Sequence, residues 1–431
     1  MKLETVKTVI LIVLIVISLF LTFGMWNYQP NYSALNEERP EDDSLNGSEE
    51  SIASLIEPTQ IIFHQGVKDY GFSDPEQRTE FYQEIQRWSL SRFETAKTQD
   101  VTNRQYDFEM IFPTTLPMEL LDSMFMMKSA NLELPSWSFQ RVYFTLEPEM
   151  EQILVEFVSI DGRDKANAVI TGQRELEFVD SFIEEQDLQE FTVFKEGASK
   201  IYIPKGNITM PRQTRAVSFI NPNHLVDILF SDPSIVRQSS SSSRGVTYFT
   251  DSSQMRVTQN GMLLEFANPV VDNNSNLLFE EDLLNLSISD INSYRGWTDE
   301  YNLMNIKVDQ SEITYQMYYN GYPVFDDRLA VIEQRWGKRL VEYIRPLFRI
   351  DLFLNEISVE LASSDEVIQY LKEHPNYNLE NIKDIQIGYR LNYQGNDRYN
   401  IVFEPSWFIN YNGVWMDIDP LDEDSSLQGG N

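Results

Sequence analysis

The sequence contains no cysteine, and this absence excludes several kinds of chemistry. Disulfide bonds, thiol catalysis, thiolate metal sites and iron–sulfur clusters all need that side chain. Stability must therefore come from packed hydrophobic cores. Hydrophobic residues make up 42% of the chain, with 26 Phe and 21 Tyr, which is ample for such cores.

Basic residues are also scarce, with 34 Lys and Arg against 67 Asp and Glu and a formal net charge of −33. Binding to nucleic acid requires a basic surface, so we expect no nucleic-acid partner. An acidic surface repels anionic lipid headgroups, which favours a domain that projects freely from a membrane. Its more ordinary effect is to keep the protein soluble.

Familiar catalytic and cofactor motifs are missing as well. The sequence has no H-E-x-x-H, G-x-S-x-G, P-loop or G-x-G-x-x-G pattern. Asp272–Asn276 begins like an EF-hand loop, but Leu277 and Leu283 stand where that loop needs glycine and a bidentate glutamate. We therefore expect no calcium site, no catalytic residues and no cofactor.

Histidine is equally rare. The three histidines lie far apart in the sequence: His64, His224 and His374. None has a neighbouring ligand pair, so each is expected to be solvated or to cap a helix. The sequence thus predicts no metal site.

One long run of residues near the N-terminus carries no charge. It extends from Val9 to Trp26, which reaches the roughly 18 residues needed to cross a bilayer core of ~30 Å at ~1.5 Å per residue. Lys2 and Lys7 precede this run, and acidic residues follow it. The positive-inside rule therefore predicts a single-pass cell-membrane protein with residues 1–8 in the cytoplasm and the bulk outside. Trp26 and Tyr28 would anchor the helix at the interface.

The alternative is a cleaved signal peptide, with Thr22-Phe23-Gly24 as the cleavage site. The length of the run and its aromatic flank favour a retained helix. Ser18 and Thr22 lie one helical turn apart and are the candidate face for contact with another membrane helix. Equally, their hydroxyls could bond to carbonyls of their own helix.

Beyond the membrane run we predict an α+β protein of three extracytoplasmic domains. Residues 27–54 form an acidic stalk, and residues 55–210 form the first domain. Strands are predicted near 61–63, 108–112, 138–146 and 152–160, and helices at 74–90, 117–125 and 175–186. The serine run 239–243 reads as a flexible loop. Residues 421–431 are an acidic tail.

The remaining residues suggest a tandem repeat. The hairpin around Asn260-Gly261 matches a second hairpin at 330–344 when the sequence is shifted by 76 residues. The same shift carries a predicted helix at 282–294 onto 358–370. Each unit then ends in an Asn-Gly turn, at Asn320-Gly321 and Asn412-Gly413. This predicts a second domain at 211–327 and a third at 328–420, each a hairpin, a helix and an antiparallel meander.

A membrane-anchored, carboxylate-dependent cell-wall hydrolase is the alternative function. Such an enzyme needs two carboxyl groups held roughly 5–10 Å apart in a groove, and a sequence this rich in acids supplies many pairs. Four tryptophans could line a sugar groove, although packing within strands is the ordinary explanation for them. They are Trp297, Trp336, Trp407 and Trp415.

Three segments resemble the YycH family of Gram-positive bacteria: residues 1–32, Ile313–Phe325 and Glu404–Trp407. The likeness runs over essentially the whole chain. It implies three extracytoplasmic domains, of which the second and third share a topology also found in the related YycI protein. It also implies regulation of the essential cell-wall sensor kinase WalK (YycG) together with YycI, partly through contacts between membrane helices. No catalytic residue is carried over.

Overall fold

The computed structural model describes residues 44–97, 106–128, 133–185, 188–195, 200–241, 245–269, 278–326, 328–393 and 400–421. The predicted membrane span Val9–Trp26 lies outside these residues, and so do Ser18, Thr22 and Tyr28. The EF-hand-like segment 272–276 and nearly all of the predicted tail lie outside them too. Among the described residues, no helix has both the length and the apolar character needed to cross a bilayer.

Seven α-helices occur in the described part of the chain. They are α1 (Ile52–Leu55), α2 (Pro75–Gln86), α3 (Leu121–Met124), α4 (Gln173–Glu185), α5 (Pro222–Leu229), α6 (Glu280–Asn292) and α7 (Ser364–Glu373). Helix α2 begins where predicted, because the Asp74 carboxylate accepts a hydrogen bond from the Glu76 N–H and Pro75 occupies the first helical position. It ends before the predicted Leu90, because Ser89 already belongs to a strand.

A first sheet of ten strands is formed by residues before 205. Its strands are β1 (Gln60–Gln65), β2 (Lys68–Phe72), β3 (Ser89–Lys97), β4 (Phe108–Pro117), β5 (Met126–Met127), β6 (Ser138–Glu147), β7 (Gln152–Ser159), β8 (Asp164–Thr171), β9 (Leu188–Lys195) and β10 (Ile201–Pro204). Their order across the sheet is β10-β9-β2-β1-β4-β6-β7-β8-β3-β5. Helices α2 and α4 pack on this sheet through Phe81 and Phe182, whose ring centroids lie 5.1 Å apart. The helix predicted at 117–125 is only α3 and one preceding 3₁₀ turn.

The other fourteen strands form a second, continuous sheet. They are β11 (Ile208–Phe219), β12 (Arg237–Ser241), β13 (Gly245–Phe249), β14 (Gln254–Thr258), β15 (Leu263–Ala267), β16 (Glu300–Lys307), β17 (Glu312–Tyr319), β18 (Tyr322–Phe325), β19 (Val331–Trp336), β20 (Leu340–Pro346), β21 (Phe348–Leu361), β22 (Ile382–Tyr393), β23 (Asn400–Tyr411) and β24 (Val414–Ile418). The order is β12-β13-β14-β15-β20-β19-β17-β18-β22-β23-β11-β21, with β16 beside β17 and β24 beside β23. One parallel pair, β18 with β22, joins the two halves of this sheet.

A helix followed by a three-stranded antiparallel meander occurs twice in this sheet, as α6-β16-β17-β18 and as α7-β22-β23-β24. Both meanders turn through the predicted Asn-Gly pairs, with φ of 49° and 69° at Asn320-Gly321 and 54° and 88° at Asn412-Gly413. These positive φ values are those that a type I′ turn requires. The stacked rings of Tyr319 and Phe403, with centroids 4.0 Å apart, pack the two meanders together.

The predicted repeat at an interval of 76 residues is not confirmed. The hairpins β14–β15 and β19–β20 do not begin two separate sheets, because β15 and β20 pair side by side in one sheet. The helix predicted from Ser358 begins at Ser364, since the residues before it are paired with β11. Strands β17 and β19 also pair across the predicted boundary at 327/328, so the limits of the domains stay a prediction.

Two segments expected to be flexible are ordered. Leu45, in the predicted stalk, is buried, and its N–H donates to the Tyr294 carbonyl (2.9 Å). Gly47 passes so close to Trp297 that an added Cβ would lie 2.2 Å from its carbonyl oxygen. The stalk prediction is therefore wrong for residues 44–54, since backbone pairing and an apolar anchor hold their start. Ser239–Ser241 belong to β12, because pairing with β13 supplies the hydrogen bonds that a loop would lack.

Candidate functional site

A cleft of about 430 Å³ lies between the first sheet and the second sheet. Its walls come from β1, β2, α2, β9 and β10 on one side and from β11, β17, β18 and β22 on the other. The lining side chains are mainly apolar, aromatic or amide: Gln60, Ile62, Phe72, Gln189, Phe191, Ile208, Tyr318, Tyr322, Gln386 and Ile387. Arg78 is its one charged residue within the described part of the chain.

Arg78 fastens the two walls of the cleft to each other. Its Nη1 donates to the Thr59 carbonyl (2.8 Å), just before β1, and its Nη2 donates to the Gly321 carbonyl (2.9 Å), in the turn between β17 and β18. The Gly321 turn also lies against the start of α2, where an added Cβ would come 2.5 Å from the Pro75 Cβ. A guanidinium presents several donors in a rigid fork, so one side chain can fix both backbone segments.

A buried cluster of charges lies behind the cleft, centred on Glu109 of β4. The Glu109 carboxylate accepts from Arg141 Nη1 (2.8 Å) and from the Tyr202 hydroxyl (2.5 Å), and His64 Nε2 lies 3.6 Å from it. On its other side, His64 Nδ1 lies 2.7 Å from Asp69 Oδ1. Arg141 also donates to the Lys200 carbonyl. Four strands of the first sheet, β1, β4, β6 and β10, thus meet at one carboxylate, and β2 joins the cluster through His64. The expectation that His64 is solvated or a cap is wrong.

The electrostatics of this cluster favour the charged forms of His64 and Glu109. Burial disfavours the charged imidazolium of His64, but hydrogen bonds and charges from Asp69 and Glu109 outweigh it and raise its pKa to about 9. Burial likewise disfavours ionised Glu109, but His64, Arg141 and Tyr202 outweigh it and lower its pKa to about 2. At neutral pH Glu109 is therefore ionised beside two cations, His64 and Arg141, and this pairing stabilises the sheet.

The alternative of a carboxylate-dependent hydrolase is not supported. No carboxylate is among the described residues that line the cleft. Six carboxyl groups elsewhere in the described part of the chain have raised pKa values because they are buried: Glu57, Glu281, Glu300 and Glu333, with Asp299 at about 7 and Asp384 at about 6. None of the six lines the cleft. Asp299 accepts from the Ile350 N–H (2.9 Å), and Asp384 accepts from Gln386 Nε2 (2.6 Å). In the described part of the chain, no group of three or more acidic or histidine side chains could hold a metal ion.

Three of the four tryptophans proposed for a sugar groove pack in the interior instead. Trp297, Trp336 and Trp407 are 1%, 8% and 1% exposed. Trp407 Nε1 donates to the Ala362 carbonyl (2.9 Å). Trp415 is half-buried on β24, and its ring packs on Phe325 of β18. None of the four lines the cleft, and the interpretation as packing within the strands is confirmed.

The proposed membrane-contact residues Ser18 and Thr22, and the anchors Trp26 and Tyr28, lie outside the described residues and stay predictions. Sequence reasoning missed the Glu109 cluster and the cleft. A signal for half of the cluster was present, since the turn at Gly66 places His64 directly opposite Asp69 in the β1–β2 hairpin. The positions of Glu109 and Arg141 beside His64 depend on the pairing of β1 with β4 and of β4 with β6, which no local sequence pattern predicts.

Fold and site together define a sheet-rich α+β protein whose sheets enclose an apolar, amide-lined cleft. The chain belongs to the YycH family. The family model described as the YycH protein N-terminal domain matches residues 4–187, and that of the YycH protein C-terminal domain matches residues 198–425.

One curated relative and one solved structure place the chain more closely. It is 21% identical, over 96% of each chain, to the two-component system WalR/WalK regulatory protein YycH of Bacillus subtilis (strain 168). It also matches the crystal structure of YycH from Bacillus subtilis, with a TM-score of 0.72 and 18% identity. That match covers 86% of this chain and 98% of the crystallised chain, and at this identity it shows the fold alone.

Proposed function

We propose that this protein is a non-catalytic, membrane-anchored regulator of a WalK-like sensor histidine kinase. The similarity over 96% of both chains to a protein named as a WalR/WalK regulator carries this proposal. The uncharged run Val9–Trp26 supports a single membrane anchor, with the N-terminus in the cytoplasm and the sheets outside. A YycI-like protein is the proposed second partner.

Regulation without catalysis requires that the protein bind one state of the kinase more tightly than another. A coupling of about 1–3 kcal/mol would change the balance between those states about 5- to 150-fold. With residues 1–8 alone in the cytoplasm, the coupling has two routes: contact between membrane helices and contact between extracytoplasmic domains. For the first route we propose the face formed by Ser18 and Thr22, whose hydroxyls can hydrogen-bond across a helix contact.

The test is a pair of matched double variants in a bacterium that encodes such a kinase. Ser18→Leu with Thr22→Leu fills the proposed face, and Val16→Leu with Phe20→Leu changes the opposite face, about 200° away at 100° per residue. The readout is the phosphorylated fraction of the response regulator. We expect the first pair to change it and the second pair to leave it unchanged.

Two further strains test the helix route and the regulatory function separately. Exchange of the whole Val9–Trp26 segment for an unrelated apolar helix should change kinase output as the first pair does. Unchanged output after that exchange would contradict the helix route and leave the extracytoplasmic route. Unchanged output after deletion of the whole protein would contradict the regulatory function itself.

A further inference from the structure

Strand β21 forms an open edge of the second sheet. Over its length, Phe348–Leu361, it pairs with β11, and within the described residues no strand pairs with its other side. Residues 351–358 are all exposed. Four of them are large and apolar: Leu352 (68% exposed), Phe353 (53%), Leu354 (48%) and Ile357 (47%).

Such an edge is unusual because edge strands are normally protected. A free edge presents unpaired N–H and C=O groups, and proteins generally cover it or shorten it, or place lysine or proline along it. β21 is long and contains neither lysine nor proline; its register with β11 shifts between Ile350 and Asn355 and is regular from Asn355 to Leu361. Consecutive apolar side chains from Leu352 to Leu354 are exposed, so both faces of the strand are open to contact. The complement of such an edge is another extended strand.

The charges along β21 indicate what kind of strand would add. Asp351, Glu356 and Glu360 lie on it with a single cation, Arg349, and the whole chain has a net charge of −33. A second copy of this protein would bring acidic residues against acidic residues, which is unfavourable. In the regular part of β21, from Asn355 to Leu361, Glu356 and Glu360 lie on one face and Ile357 lies on the other. A strand that alternates apolar and basic side chains would place basic groups near these two carboxylates and apolar groups near Ile357.

The start of the free edge is fixed by a specific contact. The Asp299 carboxylate accepts a hydrogen bond from the Ile350 N–H (2.9 Å), so that backbone group is already satisfied. The edge open to pairing therefore begins at Asp351. At about 3.3 Å per residue, residues 351–358 offer about 26 Å of backbone for a partner.

We propose that β21 is a docking edge to which an extended segment of another protein, alternating apolar and basic residues, adds as a further antiparallel strand. This inference goes beyond the proposed regulatory function and does not require it. It assigns an interaction surface to a strand far from the predicted membrane helix in sequence.

The test uses the full chain in detergent and a labelled synthetic peptide that alternates lysine with isoleucine and valine over eight residues. A peptide with glutamate in place of lysine is the control ligand. Fluorescence anisotropy measures binding, and hydrogen–deuterium exchange locates it. We expect the lysine peptide to bind and to slow amide exchange in residues 351–358, and the glutamate peptide to bind at least about tenfold more weakly.

Two variants test whether the peptide binds at β21. Leu354→Lys places a cation on the docking edge and should weaken binding of the lysine peptide about tenfold. Val414→Lys is the matched control, since Val414 is an exposed apolar residue (61%) on β24 and should leave binding unchanged.

Equal binding of both peptides, equal affinity of the two variants, or protection elsewhere than residues 351–358 would overturn the proposal. A dimer of the free protein that protects β21 and that Leu354→Lys dissociates would also overturn it, because the occupant would then be a second copy.

Discussion

The charge of His64 should contribute to stability in a manner that depends on pH. Its pKa rises from 6.5 to about 9 in the folded protein. Because the folded pKa is raised, the contribution is complete below about pH 6.5 and is lost as the pH rises through about 9. A change of this size corresponds to about 3 kcal/mol.

The perturbation is His64→Gln, which keeps a donor beside Asp69 but removes the positive charge next to Glu109. Urea unfolding followed by tryptophan fluorescence, at pH 6 and at pH 9.5, gives the free energy of unfolding of both proteins. At pH 6 the variant should be less stable by about 3 kcal/mol, and at pH 9.5 by less than about 0.5 kcal/mol.

The matched control is His224→Gln on α5, because His224 has no ion pair among the described residues. This substitution should change the free energy of unfolding by less than about 0.5 kcal/mol at either pH. If His64→Gln cost the same at pH 6 and pH 9.5, the imidazolium charge would not be the stabilising element. The account of the Glu109 cluster would then be refuted.

Three other predictions concern the same region and are checked by denaturation. Glu109 has a lowered pKa of about 2, so its contribution to stability is present above about pH 4.5 and is lost as the pH falls through 2. Glu109→Gln should therefore cost about 3–5 kcal/mol at pH 7 and about half of that or less at pH 3. An equal loss at both pH values would contradict the charge pairing. Arg78→Ala removes both backbone contacts across the cleft and should lower the free energy of unfolding by about 1–3 kcal/mol. Its control is Arg87→Ala, which removes an exposed residue of an i,i+3 ion pair and should cost under about 0.5 kcal/mol. Similar losses in the two variants would show that Arg78 does not fasten the walls. Gly321→Ala should lower the thermal midpoint of unfolding more than Gly66→Ala does. Both glycines have positive φ (69° and 67°), but of the two only Gly321 has a neighbour, Pro75, within contact distance of an added Cβ. Equal thermal midpoints of the two variants would contradict that packing.

The sequence was most informative where local chemistry decides the structure. Asp74 followed by Pro75 predicted the start of α2, and the Asn-Gly pairs predicted both tight turns of the meanders. These signals succeed because capping and positive φ depend on residues within one turn of the chain.

Long-range pairing was where sequence reasoning failed. The hairpins β19–β20 and β14–β15 have similar sequences, and sequence alone suggested that each begins a domain. Where the two hairpins lie is decided by long-range pairing, of β15 with β20 and of β17 with β19. The same limit explains Leu45, whose burial depends on residues around Trp297. It also explains why the cleft was not predicted, since its walls are joined by a hydrogen bond from Arg78 to the Gly321 carbonyl, 243 residues away in the sequence.

The first proposed route of regulation rests on the claim that the membrane helix contacts the kinase, and in-cell photocrosslinking from each position from Leu11 to Phe23 tests this claim most directly. A photoreactive residue placed at successive positions should capture the WalK-like kinase with a period of about 3.6 residues, strongest at the face of Ser18 and Thr22. Failure to capture the kinase from any of these positions, or capture without helical periodicity, would contradict the claim.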